Sequence, residues 1–208
     1  MVFALERKFS ILPNTRRASK QMNLVTVADY LDAELDSTVK HEYLGGVVYA
    51  MSGAKIAHNR VATNTCSALW ARLRGQPCEA FNSDMKIRIR LPGHTRFYYP
   101  DASVVCRSNP PKDVYQDEPT VVVEVLSDST RRLDLGEKKD AYLSISSLEV
   151  YMLIEPGAPA VVVFRRTDQG FAREVWEGLE STIPLPGIGV ELPLGEIYEG
   201  VEFSDQEL

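Results

Sequence analysis

The segment Thr120-Val-Val-Val-Glu-Val-Leu-Ser127 constrains the fold more than any other stretch of the chain. It is a short run of β-branched residues, with Pro119 before it and Ser-Asp-Ser-Thr at its end. That pattern reads as a strand buried on both faces. Glu124 sits in the middle of the run. An ionised carboxylate in such a place is costly unless a cation or several donors meet it, so the position calls for a partner.

The rest of the composition narrows the classes. Hydrophobic residues at 44% and charged residues at 25% of 208 are ordinary for a soluble globular chain. No stretch approaches the ~18 apolar residues of a membrane span, so no membrane association is expected. Glu6, Arg7 and Lys8 break the opening segment, which lacks the apolar core of a signal peptide. Residues 1–21, with Arg16, Arg17 and Lys20, read as a basic extension, and 22–208 as a single domain. Cys66, Cys78 and Cys106 are odd in number and show no C-x-x-C spacing. A disulfide framework or zinc ribbon is therefore not expected, and a reducing cytoplasm is the expected location. The net charge of −6 argues against non-specific coating of nucleic acid. Binding of a phosphate chain in a local groove stays open, because positive charge clusters at Lys86–Arg90, Arg72 with Arg74, and Arg131-Arg132.

Along the chain, Thr26 is a plausible cap for a helix with apolar spacing at Val27, Tyr30, Leu31 and Leu35. Residues 43–51 read as a hairpin around Gly45-Gly46. A helix is expected over about 54–74, ended by Gly75. Strands are expected at about 78–91, 97–106 and 120–127, with a surface loop over 107–119. A helix over 133–146, strands over 150–155 and 160–166, and a Pro/Gly-rich meander from Ser181 complete an α/β domain.

A second acid, Asp101, follows Pro100 at the start of an apolar run. It is either a turn aspartate or a side chain projecting from the beginning of a strand. On the helix after Glu124, Leu135, Ala141, Tyr142 and Ile145 share a face, and Lys138 projects from its middle. Its ammonium either snorkels outward or is aimed at the interior with Glu124. Two acids and a lysine around one pocket suit Mg²⁺ chemistry. Carboxylates are hard oxygen ligands, the metal activates water, and the lysine assists at the phosphate. His41 beside Glu42 has no further ligand at zinc spacing. Ser127 and Ser129 lack the glycines of a nucleophile elbow. Asp84 reads as a turn or substrate-side acid, and His58 as a hydrogen-bonding structural histidine.

Pro100-Asp101, Glu124-Val-Leu-Ser127 and Lys138 together resemble the PD-(D/E)XK phosphodiesterase superfamily. More closely, the chain resembles its bacterial branch of stand-alone restriction-endonuclease-like proteins. Supporting segments are His41–Met51, His58-Asn-Arg60, Ser83–Lys86, Tyr99–Asp101, Val123–Thr130, Asp134 with Gly136–Lys138 and Tyr142, and Ser147–Tyr151. The resemblance implies a restriction-endonuclease-like core, a central mixed β-sheet flanked by helices. It implies Asp101 and Glu124 as metal ligands, with the Val125 carbonyl as a third donor and Glu42 as an assisting acid. Mg²⁺ is the implied cofactor, with Mn²⁺ as a substitute. Leu126 stands where the superfamily pattern has lysine; the branch moves that lysine to the following helix, hence Lys138, with Lys139 or Lys86 as substitutes. The implied activity is endonucleolytic hydrolysis of nucleic acid, chiefly DNA, by a homodimer. Arg88, Arg90, Arg131 and Arg132 are candidate phosphate contacts. The alternatives are a catalytically silent scaffold with the same fold, and a buried Glu124–Lys138 ion pair without chemistry.

Overall fold

The computed structural model describes residues 24–203, so the basic extension at 1–21 lies outside the described residues. In chain order the elements are α1 (Val27–Leu35), β1 (His41–Leu44), β2 (Val47–Ala50), α2 (Ile56–Leu73), β3 (Glu79–Asn82), β4 (Lys86–Leu91) and β5 (His94–Tyr98). Then come β6 (Ala102–Val105), β7 (Tyr115–Gln116), β8 (Pro119–Val125), α3 (Arg131–Asp134), α4 (Glu137–Leu143) and β9 (Val150–Ile154). The chain continues through β10 (Ala160–Thr167), β11 (Gly170–Glu177), β12 (Thr182–Leu185), a 3₁₀ turn at Pro186–Ile188, β13 (Val190–Pro193) and α5 (Leu194–Ile197). The chain divides into two compact units, one running to Gly53 and including Arg88–Tyr98, the other comprising Ala54–Ile87 and Tyr99 onward.

In the first unit Thr26 caps α1 as its sequence suggests: the Oγ1 accepts from the Asp29 N–H at 3.1 Å. Tyr30 is buried and donates to the His41 carbonyl at 2.6 Å. Its ring packs with those of Tyr43 and Phe97, centroids 5.0 and 5.3 Å away. Leu35, expected on the buried face, is exposed; Ala33 takes the inward position instead. Strands run in the order β2-β1-β5-β4. Gly45 and Gly46 close the β1–β2 hairpin at φ of 59° and 103°, the left-handed pair that a tight two-residue turn requires. A Cβ on Gly46 would also stand 2.8 Å from that of Leu24.

The second unit is built on a six-stranded sheet ordered β11-β10-β9-β8-β6-β3. β8 and β9 are parallel and the other pairings antiparallel, so the sheet is mixed. Every residue of β8 is buried, and the period of two explains how. Val121, Val123 and Val125 face a core shared with Val61 and Leu69 of α2 and with Ile183, Leu192 and Ile197 of the C-terminal meander. Glu124 points to the opposite face, where Tyr142 of α4 reaches it. The strand is thus covered on both sides, as the composition of its run demands, and the α/β class with mixed sheets flanked by helices follows.

Three expected elements are divided. The strand over 78–91 is interrupted between β3 and β4, because Asn82 Oδ1 accepts from the Asp84 N–H at 3.0 Å and its carbonyl from Met85, an Asx-type turn. The strand over 97–106 stops at Pro100, which has no N–H for the ladder. The helix over 133–146 breaks at Gly136, with φ of −118° and ψ of −108°. A Cβ there would stand 3.0 Å from the Arg132 carbonyl. Leu135, expected on the buried face of that helix, is exposed in consequence. β11, a largely exposed edge strand, carries no sequence pattern marking it as one.

The cysteines depart from expectation. Cys78 and Cys106 flank the paired ends of β3 and β6, where Glu79 faces Val105, and they form a disulfide across a separation of 28 residues. Parity and spacing of the three cysteines carry no information about this; the antiparallel register does. Replacing Cys78 with serine is expected to lower stability by about 3–4 kcal/mol on the loop-closure argument, read from denaturant unfolding without reductant. Among the described residues, no helix is long and apolar enough to cross a membrane.

Candidate active site

Extending the Ala102–Val123 register by one residue puts Asp101 across from Glu124. Pro100 ends the preceding strand, and the Asp101 carboxylate turns onto the neighbouring backbone: its Oδ2 accepts from the Val125 N–H at 2.7 Å. The Nε2 of His58, from the first turn of α2, lies 3.4 Å from the same oxygen. Glu124 is 4% exposed. Its Oε1 lies 2.9 Å from the Lys138 ammonium and accepts from the Tyr142 hydroxyl at 3.3 Å.

The break at Gly136 leaves Asp134 one turn before Lys138. Asp134 is 2% exposed, and its Oδ1 lies 3.7 Å from the Lys138 Nζ. That oxygen has no hydrogen-bond partner. The Tyr151 hydroxyl donates to the Asp134 backbone carbonyl at 3.0 Å and holds the residue in place.

Three carboxylates thus share one region with Lys138, itself 6% exposed. Burial pushes the Glu124 carboxyl well above the ordinary range; Lys138 pulls it back, and the Asp134 and Asp101 charges raise it further. Asp134 is raised by burial as well, against the pull of Lys138.

A stability consequence follows from the sign of these shifts. A carboxyl raised in the folded state binds more protons there than in the unfolded chain, so its contribution is favourable at low pH. That contribution is lost as pH climbs from the ordinary carboxylate value of 4.5 through the elevated folded value. Glu124→Gln is expected to gain on the wild type in melting temperature as pH rises across that window. A difference independent of pH would contradict the raised carboxyl.

Several other candidates are engaged in contacts of their own. Val125 is buried, with its N–H committed to Asp101. Lys86 is buried and donates to the Tyr99 hydroxyl at 3.0 Å. Lys139 lies 3.4 Å from Asp140 and over the ring of Phe164. Arg131 grips Glu155 through both guanidinium nitrogens, with Nη2 at 2.7 Å, while Arg132 is exposed. Glu42 on β1, Arg88 and Arg90 belong to the first unit. Asp84 occupies the turn already described. Ser127 bonds Thr130 and shapes the turn into α3.

Two members of the cluster, Asp134 and His58, are expected only among the residues that carry the resemblance, with His58 as a structural hydrogen-bonding histidine. Asp134 carries a signal, an acid four residues before an inward-facing lysine. Nothing local pairs His58 with Asp101: only the fold brings the start of α2 there.

The family described as "Uma2: Putative restriction endonuclease" matches residues 27–195. The chain belongs to this family. It is 32% identical over 177 residues to the uncharacterized protein slr1290 of Synechocystis, covering 84% of this chain and 92% of that protein. A second Synechocystis protein, sll1609, is 31% identical over 135 residues, covering 64% of this chain and 75% of that one. In fold, the Uma2 chain is similar to a crystal structure from Anabaena variabilis described as a "putative nuclease belonging to DUF820". The TM-score is 0.68, with 16% identity, 86% of this chain and 99% of that one covered. That likeness concerns the architecture alone.

The residues present also bear on a metal. Among the described residues, no group of three or more His, Cys, Asp and Glu side chains forms a ready-made metal cage. Mg²⁺ does not ask for one: it keeps several waters and is commonly held by one or two carboxylates. Asp101 and Glu124, across from one another in the β6–β8 register, offer such a pair of carboxylates.

Proposed function

We propose that this Uma2 protein hydrolyses phosphodiester bonds of DNA with Mg²⁺ as cofactor and Mn²⁺ as a substitute. The observation that most supports the reading is the meeting of Asp101, Glu124 and Lys138, from separate segments, at one acidic cluster. Asp101 and Glu124 would hold the cation, with the Val125 carbonyl as a further donor. Bound Mg²⁺ supplies a lowered water pKa and positive charge against the phosphate.

The chain's own groups prepare that chemistry. The Val125 N–H and His58 fix the direction of the Asp101 carboxylate in advance. Tyr142 fixes Glu124 from α4. The Lys138 ammonium is the group that steadies negative charge developing on the phosphate oxygens. Arg88, Arg90, Arg131 and Arg132 are proposed to contact backbone phosphates, for which Arg131 has to leave Glu155. A homodimer would supply the two centres that double-strand cleavage needs.

One observation favours a second reading. Lys138 meets Glu124 at 2.9 Å, as expected of a buried ion pair without chemistry, which would leave the protein a silent scaffold. An assay on supercoiled plasmid and single-stranded oligonucleotides, with Mg²⁺, Mn²⁺ or EDTA, separates the two. Cleavage that requires the metal and disappears with EDTA is expected. Intact substrates under every condition would overturn the enzymatic reading and leave the scaffold.

A further inference from the structure

Asp134 has no part in the chemistry above, yet it is buried beside it with an unpartnered oxygen. Lys138 lies between two acids, 2.9 Å from Glu124 Oε1 and 3.7 Å from Asp134 Oδ1. The first is a normal charge-assisted hydrogen bond; the second is too long by about 1 Å. An ammonium has three protons to place, and Asp134 Oδ1, which accepts no hydrogen bond, lies close by.

A divalent cation on Asp101 and Glu124 would bring like charge against the ammonium now bonded to Glu124. Lysine and cation then compete for one carboxylate unless the lysine has somewhere to go. We propose that Asp134 is a positioning residue that receives the Lys138 ammonium when a divalent cation occupies the Asp101–Glu124 pair. A shift of about 1 Å by the Nζ gives Asp134 Oδ1 a full hydrogen bond and releases Glu124 Oε1. The i,i+4 spacing across the Gly136 break keeps the receiving acid within reach, and Tyr151 keeps it from drifting. The role depends on Asp101 and Glu124 being cation ligands, as proposed above.

The test is Mn²⁺ binding to the full chain, followed by calorimetry, in the wild type, Asp134→Asn, Asp134→Glu, Lys138→Met and the Asp134→Asn/Lys138→Met double variant. Asp134→Asn is expected to weaken Mn²⁺ by ~10–100-fold, the usual effect of losing a group behind a metal ligand. Asp134→Glu should restore part of the loss. In the Lys138→Met background there is no ammonium to receive, so Asp134→Asn should change little. An unchanged affinity in Asp134→Asn overturns the handover. So does an equal loss with and without Lys138, which makes Asp134 a direct electrostatic contributor. Absence of Mn²⁺ binding by the wild type overturns the cation site itself and the handover with it. Should Lys138→Met fail to fold, a crystal structure of the wild type with Mn²⁺ decides. Lys138 must be bonded to Asp134 and clear of Glu124; a lysine still on Glu124 overturns the proposal.

Discussion

Asp101→Asn is expected to lower metal-dependent cleavage on the order of 10²–10³-fold, the scale of removing one preorganised electrostatic group from an active site. The substitution is close to isosteric, and the amide oxygen still accepts from the Val125 N–H that now bonds the carboxylate at 2.7 Å. The corner between Pro100 and β6 therefore keeps its geometry. What disappears is one negative charge from a cluster of three acids. Because the Asp101 charge raises the Glu124 carboxyl, its removal should also lower that carboxyl and leave the fold no less stable. Initial rates on plasmid at saturating Mg²⁺, with thermal unfolding alongside, measure both effects. A fully active Asp101→Asn protein would remove Asp101 from the chemistry; lost activity with lost folding would make it a structural residue.

Lys138→Met should be the most destabilising exchange in the cluster. Removing one partner of a buried ion pair costs about 3–5 kcal/mol, because the other charge stays behind without compensation. Here two acids stay behind, Glu124 at 2.9 Å and Asp134 at 3.7 Å. The loss should be smaller in acid, where both carboxyls take up protons, and larger toward neutral pH. Adding Glu124→Gln should recover a large part of it, since the amide needs no counter-charge. The coupling between the two sites, read from a double-mutant cycle by denaturant unfolding, is the measurement. Additive effects would show that the pair is close but not energetically joined.

How far the sequence leads can be followed residue by residue. The β-branched run around Glu124 announces a strand covered on both faces, and helical spacing turns Lys138 inward; both signals are local, and the structure carries both features. Pro100 marks the end of a strand, but its effect is weighed against the apolar residues on either side, which suggest one continuous strand. Asn82 and Gly136 act in the same way, each dividing an element whose apolar periodicity continues across the break. The Cys78–Cys106 bond and the approach of His58 to Asp101 depend on register and helix placement. Neither is encoded in any short window. Asp134 lies between these cases: its spacing from Lys138 is visible, but its burial is not.

The division of the expected helix into α3 and α4 ties the chemistry to local order. Segments of four and seven residues fall well below the ~12–15 residues at which an isolated helix becomes even marginal in water. Their structure is borrowed from what they touch: the Lys138–Glu124 contact, the Tyr142–Tyr151 ring pair at 5.4 Å, and the Tyr151 hydrogen bond to Asp134. Protonation, charge and folding of residues 131–143 are therefore facets of one local equilibrium. Whatever binds at Glu124 also sets how tightly that side of the sheet is closed.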